Sequence, residues 1–252
     1  MEQIIHNQQK EIQIGMKFNN YLKESILDQG IFKAIFMAGQ AASGKSYVLK
    51  QVKSGNIEPK IVNVDTFIEF LQAAYDSPLH DKSKKLTAIQ LYQYINALLP
   101  LFIDSTSTDP TALVIRYNIL EHIGYDVGMV FVNTSLETSV ERVKKRNQEG
   151  KRFTPPDAVE KYYEKTLQIK NFLKGKFPFF MEIDNDDGML TDEVILKAFK
   201  RVSTFYTSPV ENIAGERIIE LMKNKGWKYL VPNIYDDGYL KSLINRWYRS
   251  TR

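Results

Sequence analysis

The stretch Gly39-Gln40-Ala41-Ala42-Ser43-Gly44-Lys45-Ser46 constrains this chain more than any other, because it fits the phosphate-loop pattern G-x-x-x-x-G-K-[ST] at every fixed position. Its flanks are the ones the pattern requires. Ile31 to Ala38 is an apolar run with the character of a buried strand, and Tyr47 to Val52 can continue as a helix. Gly39 and Gly44 let the backbone turn with its N–H groups inward, at a helix N-terminus whose dipole favours anions. Lys45 adds a point charge suited to β- and γ-phosphates, and the Ser46 hydroxyl suits Mg²⁺. Gly39, Gln40, Ala41, Ala42, Ser43, Gly44, Lys45, Ser46 and Tyr47 are therefore the candidate phosphate-binding residues. The competing reading is a Gly/Ser-rich turn with no ligand, and the flanking strand and helix argue against it.

Composition narrows the setting. A chain of 252 residues, 43% hydrophobic and 25% charged, has the makings of one α/β domain with a sizeable core and argues against long disorder. The absence of Cys excludes disulfides, thiolate metal sites and Cys nucleophiles, and only three His argue against a His-rich metal site. No apolar run is long enough to span a bilayer, and Met1 to Asn7 has no basic stretch leading into an apolar one. The expectation is a cytoplasmic protein, in the host cytoplasm if virus-encoded, with no membrane partner. A net charge of +4 permits anionic substrates but leaves nucleic acid open rather than indicated.

The elements follow in alternation. Phe18, Tyr21, Leu22 and Ile26 recur at helical spacing until Gly30, so residues 1–30 are expected to add an N-terminal helix. Ile61 to Asp65 reads as strand 2 ending in a carboxylate, and Thr66 to Tyr75 as a helix. In open α/β sheets ligands gather at the carboxyl ends of strands, which places Asp65 among the candidates. A polar connection containing Ser83-Lys84-Lys85 leads to an amphipathic helix around Ile89, Tyr92, Ile95 and Leu98. Leu98 to Ile103 reads as strand 3, ending in Asp104 where a Walker B carboxylate would stand. A helix over 111–123 stops at Gly124, and Val127 to Val132 is strand 4, expected beside strand 1. Thr134 or Ser135 caps the next helix, on which Arg142 and Arg146 share a face. After the tip at 147–153, Thr154-Pro155-Pro156-Asp157 opens a long helix, Phe179 to Asp184 is strand 5, and Asp192 to Val202 closes the pattern.

Five strands alternating with helices predict a parallel sheet covered on both faces. The pattern changes near residue 205. Ser208-Pro209 is expected to cap a helix, Trp227 to Val231 is a short apolar run, and Tyr239 to Tyr248 is amphipathic. This suggests a division into a domain over 1–204, with its core at 31–185 and a lid at 136–156, and a helical appendage over 205–252. The appendage carries Lys241, Arg246, Arg249 and Arg252, read as a solvated basic face, and offers a place for a protein partner.

Phosphoryl transfer needs positioning, charge neutralisation and a group to orient or deprotonate the nucleophile. Asp65 suits the last role, and Arg142, Arg146, Lys151 and Arg152 the second. A basic cluster after strand 4 is a natural lid that closes and excludes water. At this point the residues resemble a family. The phosphate loop, VNVDTF at Val62–Phe67, FIDSTS at Phe102–Ser107, GYDVGMVFVNTSLE at Gly124–Glu137 and RVKKRNQEGKRF at Arg142–Phe153 are together similar to the P-loop kinases. Within that group the nearest matches are the zeta-toxin-like kinases and the kinase domain of phage polynucleotide kinases.

The resemblance covers residues 31 to about 185. It implies a P-loop NTPase fold, ATP and Mg²⁺ as cofactors, Lys45 and Asp65 as catalytic residues with Asp65 the base, and lid arginines Arg142, Arg146 and Arg152 on the transferring phosphate. It also implies Ser46 and Asp104 at the metal. Two departures leave the acceptor open: Asn63 stands where an acidic residue is usual, and Ser105 where a Gly is usual. The expected activity is transfer of a γ-phosphate to a hydroxyl of a nucleotide sugar, nucleoside, nucleotide or polynucleotide 5′ end. A toxin-type kinase of a toxin–antitoxin pair, and a nucleotide-binding interaction module on the same fold, stand as alternatives.

Overall fold

The computed structural model describes residues 28–52, 57–70, 78–104, 109–149, 154–187, 189–225 and 235–249. Five parallel strands form one sheet: β1 (Lys33–Gly39), β2 (Lys60–Val62), β3 (Leu101–Asp104), β4 (Asp126–Asn133) and β5 (Phe179–Asp184), in the order β2-β3-β1-β4-β5. Every residue of β1 is buried, as a strand flanked on both edges and covered on both faces must be. The edge strand β5 alternates at its carboxyl end, with Met181 and Ile183 buried and Glu182 and Asp184 exposed.

Side chains of β1 divide between two cores. Ala34, Phe36 and Ala38 face one core, joined by Phe32 just ahead of the strand, and Ile35 and Met37 the other. The helices α1 (Lys45–Val52) and α7 (Asp192–Thr207) cover the second face. The first is covered by α3 (Pro78–Asn96), α4 (Pro110–His122), α6 (Pro156–Lys176) and α9 (Asp237–Arg249). The short α2 (Val64–Phe70), α5 (Leu136–Gln148) and α8 (Ile213–Asn224) complete the described fold. No helix among the described residues is long and apolar enough to cross a membrane.

Several boundaries differ from the sequence reading, each for a local reason. Strand 2 stops at Val62, because the Asn63 side chain accepts a hydrogen bond from the Asp65 N–H (2.7 Å) and starts a helix there. The segment around Ser83-Lys84-Lys85 is inside α3 rather than a connection, and its buried stripe is Ser83, Thr87, Leu91 and Ile95. The buried hydroxyls satisfy themselves on the preceding turn, Ser83 donating to the Leu79 carbonyl (2.9 Å) and Thr87 to that of Ser83 (2.9 Å). Ile89 is left exposed. Strand 3 begins only at Leu101, after Pro100, since Leu98 takes a positive φ of 53° at the end of the turn. Ser208 closes α7, and α8 is instead capped by Asn212, which accepts from the Ala214 and Gly215 N–H groups. The expected N-terminal helix and the run Trp227 to Val231 lie outside the described residues.

The expected C-terminal helix packs into the main core. Leu240, Ile244 and Trp247, at spacings of four and three, are buried with Phe36, Leu91 and Leu113. Trp247 stacks on Phe36 with ring centres 5.9 Å apart and planes at 19°.

Candidate active site

The strand order places β1 between β3 and β4, and the chain leaves β1 toward β2 but leaves β3 toward β4. Connections therefore depart to opposite sides at the carboxyl ends of β1 and β3, which opens a crevice there. Met37 pairs with Asp104 across it, two residues before Gly39. The phosphate loop and the strand-3 carboxylate are thus neighbours at the place where ligands bind in such sheets.

The loop itself needs its two glycines. Gly39 has φ +146°, and a Cβ there would stand 2.2 Å from the Val132 carbonyl oxygen. Gly44 has φ +84°, and a Cβ there would stand 2.2 Å from Asn185 Nδ2. Ala42 also takes a positive φ, 54°, to complete the curl. The Gly44 carbonyl accepts from the Tyr47 and Val48 N–H groups, so α1 starts directly on the loop with its N-terminus toward it. Lys45 Nζ folds back across the loop and donates to the Gly39 (3.2 Å) and Gln40 (3.0 Å) carbonyls.

A bracket of residues around the loop escaped the sequence reading. Asn185, just beyond β5, donates from Nδ2 to the Ser43 carbonyl (2.6 Å), and its own carbonyl accepts from Arg142 Nη2 (2.8 Å). Gln40 donates to the Asn133 side chain (3.0 Å), tying the loop to the end of β4. Asp186 receives the Thr134 hydroxyl and the Ser135 N–H, each at 2.7 Å. Burial alone would raise the Asp186 carboxyl, but the hydrogen bonds from the Ser135 N–H and from the Thr134, Ser135 and Thr138 side chains hold it below the ordinary aspartate value. The only trace of these roles in the sequence is polar residues just past an apolar strand, a pattern shared by most loops.

The expected site residues divide into three groups. Arg142 is brought to the loop: its Nη1 is buried with no hydrogen-bond partner and lies 3.9 Å from where a Gly44 Cβ would be, while Nη2 also pairs with exposed Asp187 (2.9 Å). Arg146, one turn further on, donates to the Thr154 hydroxyl (2.6 Å) ahead of α6, where Asn147 exchanges two further bonds with the Thr154 backbone. Arg152 lies outside the described residues. Across the crevice, Asp65 sits in the first turn of α2 rather than on a strand, and Asn63 bridges the two carboxylate positions by donating to Asp104 Oδ2 (3.1 Å). Asn63, which the sequence marked only as a departure, therefore ties the start of α2 to Asp104 at the site.

The residues fit the groups that the loop implies. A glycine-shaped cradle, a helix N-terminus and a buried guanidinium edge facing the loop match a polyphosphate. One hydroxyl, Ser46, and one carboxylate, Asp104, match Mg²⁺, which keeps waters and phosphate oxygens for its other positions. A cleft of about 730 Å³ lies elsewhere, at the opposite ends of the strands beside Lys33 and Asp126. It offers little to a ligand, because Lys33 is already bound to Asp126 (2.7 Å), Ser208 (3.0 Å) and the Pro209 carbonyl (2.7 Å).

With this geometry in hand, the family model described as Zeta toxin matches residues 20–188, well over half of the chain. The chain belongs to the zeta toxin family. Among solved structures, the zeta-toxin-family chain is similar to one from the PezAT chromosomal toxin–antitoxin system of Streptococcus pneumoniae, at 16% identity and TM-score 0.50, over 86% of this chain and 95% of that one. It is also similar to a proposed kinase from Chloroflexus aurantiacus, at 13% identity and TM-score 0.50, over 69% and 97% of the two chains. At such identities the likeness is one of fold: this is the α/β fold of the P-loop kinases. No curated protein matches the chain in sequence.

Proposed function

We propose that this zeta-toxin-family chain is an ATP-dependent phosphotransferase acting on a hydroxyl. The observation that carries the reading is that Arg142 turns a buried, unpartnered Nη1 toward the phosphate loop while Asp65, Asn63 and Asp104 gather on the other side of the same crevice. A cation on one side and carboxylates on the other are what in-line transfer between two oxygens needs. The acceptor oxygen attacks the γ-phosphorus as its bond to the β-bridging oxygen breaks, the hydroxyl proton passes to the Asp65 carboxylate, and ADP leaves. Lys45, released from the Gly39 and Gln40 carbonyls, pairs with the β- and γ-phosphates. Arg142 neutralises charge on the moving group. Ser46 and Asp104 would hold Mg²⁺, which would neutralise charge on the polyphosphate.

Nucleotide sugars, nucleosides, nucleotides and polynucleotide 5′ ends are the acceptor classes to test. The family match and the S. pneumoniae toxin–antitoxin neighbour support a toxin-type kinase restrained by a protein partner as the biological setting. ATP consumption measured with and without each acceptor class tests the activity. Acceptor-dependent turnover that disappears in Lys45→Ala is expected. Turnover indifferent to acceptor, or retained by Lys45→Ala, would overturn it.

A further inference from the structure

The pairing of β2 with β3 continues in side chains past its last backbone pair. Lys60, Ile61 and Val62 lie opposite Leu101, Phe102 and Ile103 in parallel register, so the next step sets position 63 beside Asp104 whatever residue stands there. On the other flank of β3, Asp104 is paired with Met37, two residues before the phosphate loop. Position 63 is thus where a side chain leaving β2 bears directly on the strand-3 carboxylate.

Asn63 fills that position with an amide engaged at both ends. Its Oδ1 accepts the Asp65 N–H (2.7 Å) as the cap of α2, and its Nδ2 donates to Asp104 Oδ2 (3.1 Å). Each bond fixes the other. Turning the amide over would set its NH₂ against the Asp65 N–H and its oxygen against a carboxylate. The N–H on Oδ2 orients the Asp104 carboxylate and competes with a cation for that oxygen. A carboxylate in place of the amide would do the reverse. Asp caps a helix as well as Asn does, so α2 would still start, but two carboxylates would then stand side by side, and added ligand charge raises affinity for a divalent ion.

We propose that Asn63 is a positioning residue for Asp104: its amide holds one carboxylate oxygen and keeps the nucleotide-free protein from capturing a divalent cation at the end of β3. This rests on the phosphotransferase reading, in which Ser46 and Asp104 hold Mg²⁺, and adds what keeps that site from filling before polyphosphate oxygens can share the ion.

Mn²⁺ is the probe, because the electron paramagnetic resonance signal of the free ion falls on binding. The full chain, without nucleotide, is titrated as wild type, Asn63→Asp and Asn63→Ser. Both variants keep an oxygen for the Asp65 N–H, so a role confined to starting α2 leaves all three proteins alike. Wild type is expected to show no saturable uptake. Asn63→Asp should gain a saturable site about tenfold or more tighter than any wild-type uptake, the direction in which an added carboxylate ligand acts, with Asn63→Ser between the two. The gain should vanish in the double variant Asn63→Asp, Asp104→Asn. Saturable uptake by nucleotide-free wild type, identical curves for the three proteins, or a gain that survives in the double variant overturns the assignment. If circular dichroism shows Asn63→Asp unfolded, Asn63→Ser against wild type decides alone, and equal uptake by those two overturns it. A separate titration with a non-hydrolysable ATP analogue tests the underlying reading. Failure of wild type to bind the analogue tells against the phosphotransferase, whereas a Mn²⁺ gain that needs both Asp104 and the change at Asn63 still supports the role of Asn63.

Discussion

At Asp65 and Asn185 single side chains carry distinguishable consequences. Asp65 stands in the first turn of α2 with its N–H held by Asn63, so replacing its carboxylate leaves the turn and the phosphate loop in place. Asp65→Asn is expected to keep its nucleotide affinity and lose about 10²-fold or more in kcat, the scale of a lost general base, as checked by steady-state kinetics beside nucleotide titration. Asn185 acts on the phosphate loop. Its amide satisfies the buried Ser43 carbonyl, and an unsatisfied buried acceptor costs roughly 1–3 kcal/mol. Asn185→Ala should therefore weaken nucleotide binding by roughly tenfold with a smaller effect on kcat, because the loop that binds phosphate loses its brace.

α5 and the start of α6 fall in the segment proposed as a lid. Its two arginines are four residues apart on one helix but have different surroundings, Arg142 against the phosphate loop and Arg146 on Thr154. Kinetics of the two alanine variants should separate them. Arg142→Ala is expected to lose about 10²-fold in kcat as an electrostatic contact, with Arg146→Ala losing less and through lid closure. The foot of α5 is also pinned by Asp186 through Thr134 and Ser135. Because that carboxyl is held below its ordinary value of 3.8, its contribution to stability is complete above that value and is lost as pH falls through it toward the folded-state value. Urea denaturation should show wild type exceeding Asp186→Asn at pH 7, with the gap closing as pH drops below about 4.

At the scale of the molecule, α9 belongs to the core that positions the crevice. Trp247 is 2% exposed and lies between Phe36 on the central strand and Arg116 on α4. Trp247→Ala is expected to cost about 3–5 kcal/mol, read from urea denaturation. Removing 237–249 should abolish cooperative folding, since it uncovers Phe36 and Leu91 together with the face of α4. The effect of such a deletion on any acceptor would then report lost folding rather than a lost contact.

The sequence by itself determined the phosphate loop, the five strands, most of the helices, and Asp104 at the end of β3. These are local signals: a spacing of glycines, an apolar run, a helical period, a carboxylate after a strand. What only the tertiary structure decided are the meetings of residues far apart in the chain. Asn185 lies 142 residues from Ser43, whose carbonyl it braces, and Asn63 lies 41 from Asp104. Arg142 and Arg146 are indistinguishable in the sequence, but Arg142 is carried to the phosphate loop and Arg146 to Thr154. The C-terminal helix reads as an appendage because a sequence shows its apolar stripe without the face that stripe covers. Periodicity is written along the chain, whereas a crevice is made where chain segments cross, and the order of strands in the sheet sets which segments those are.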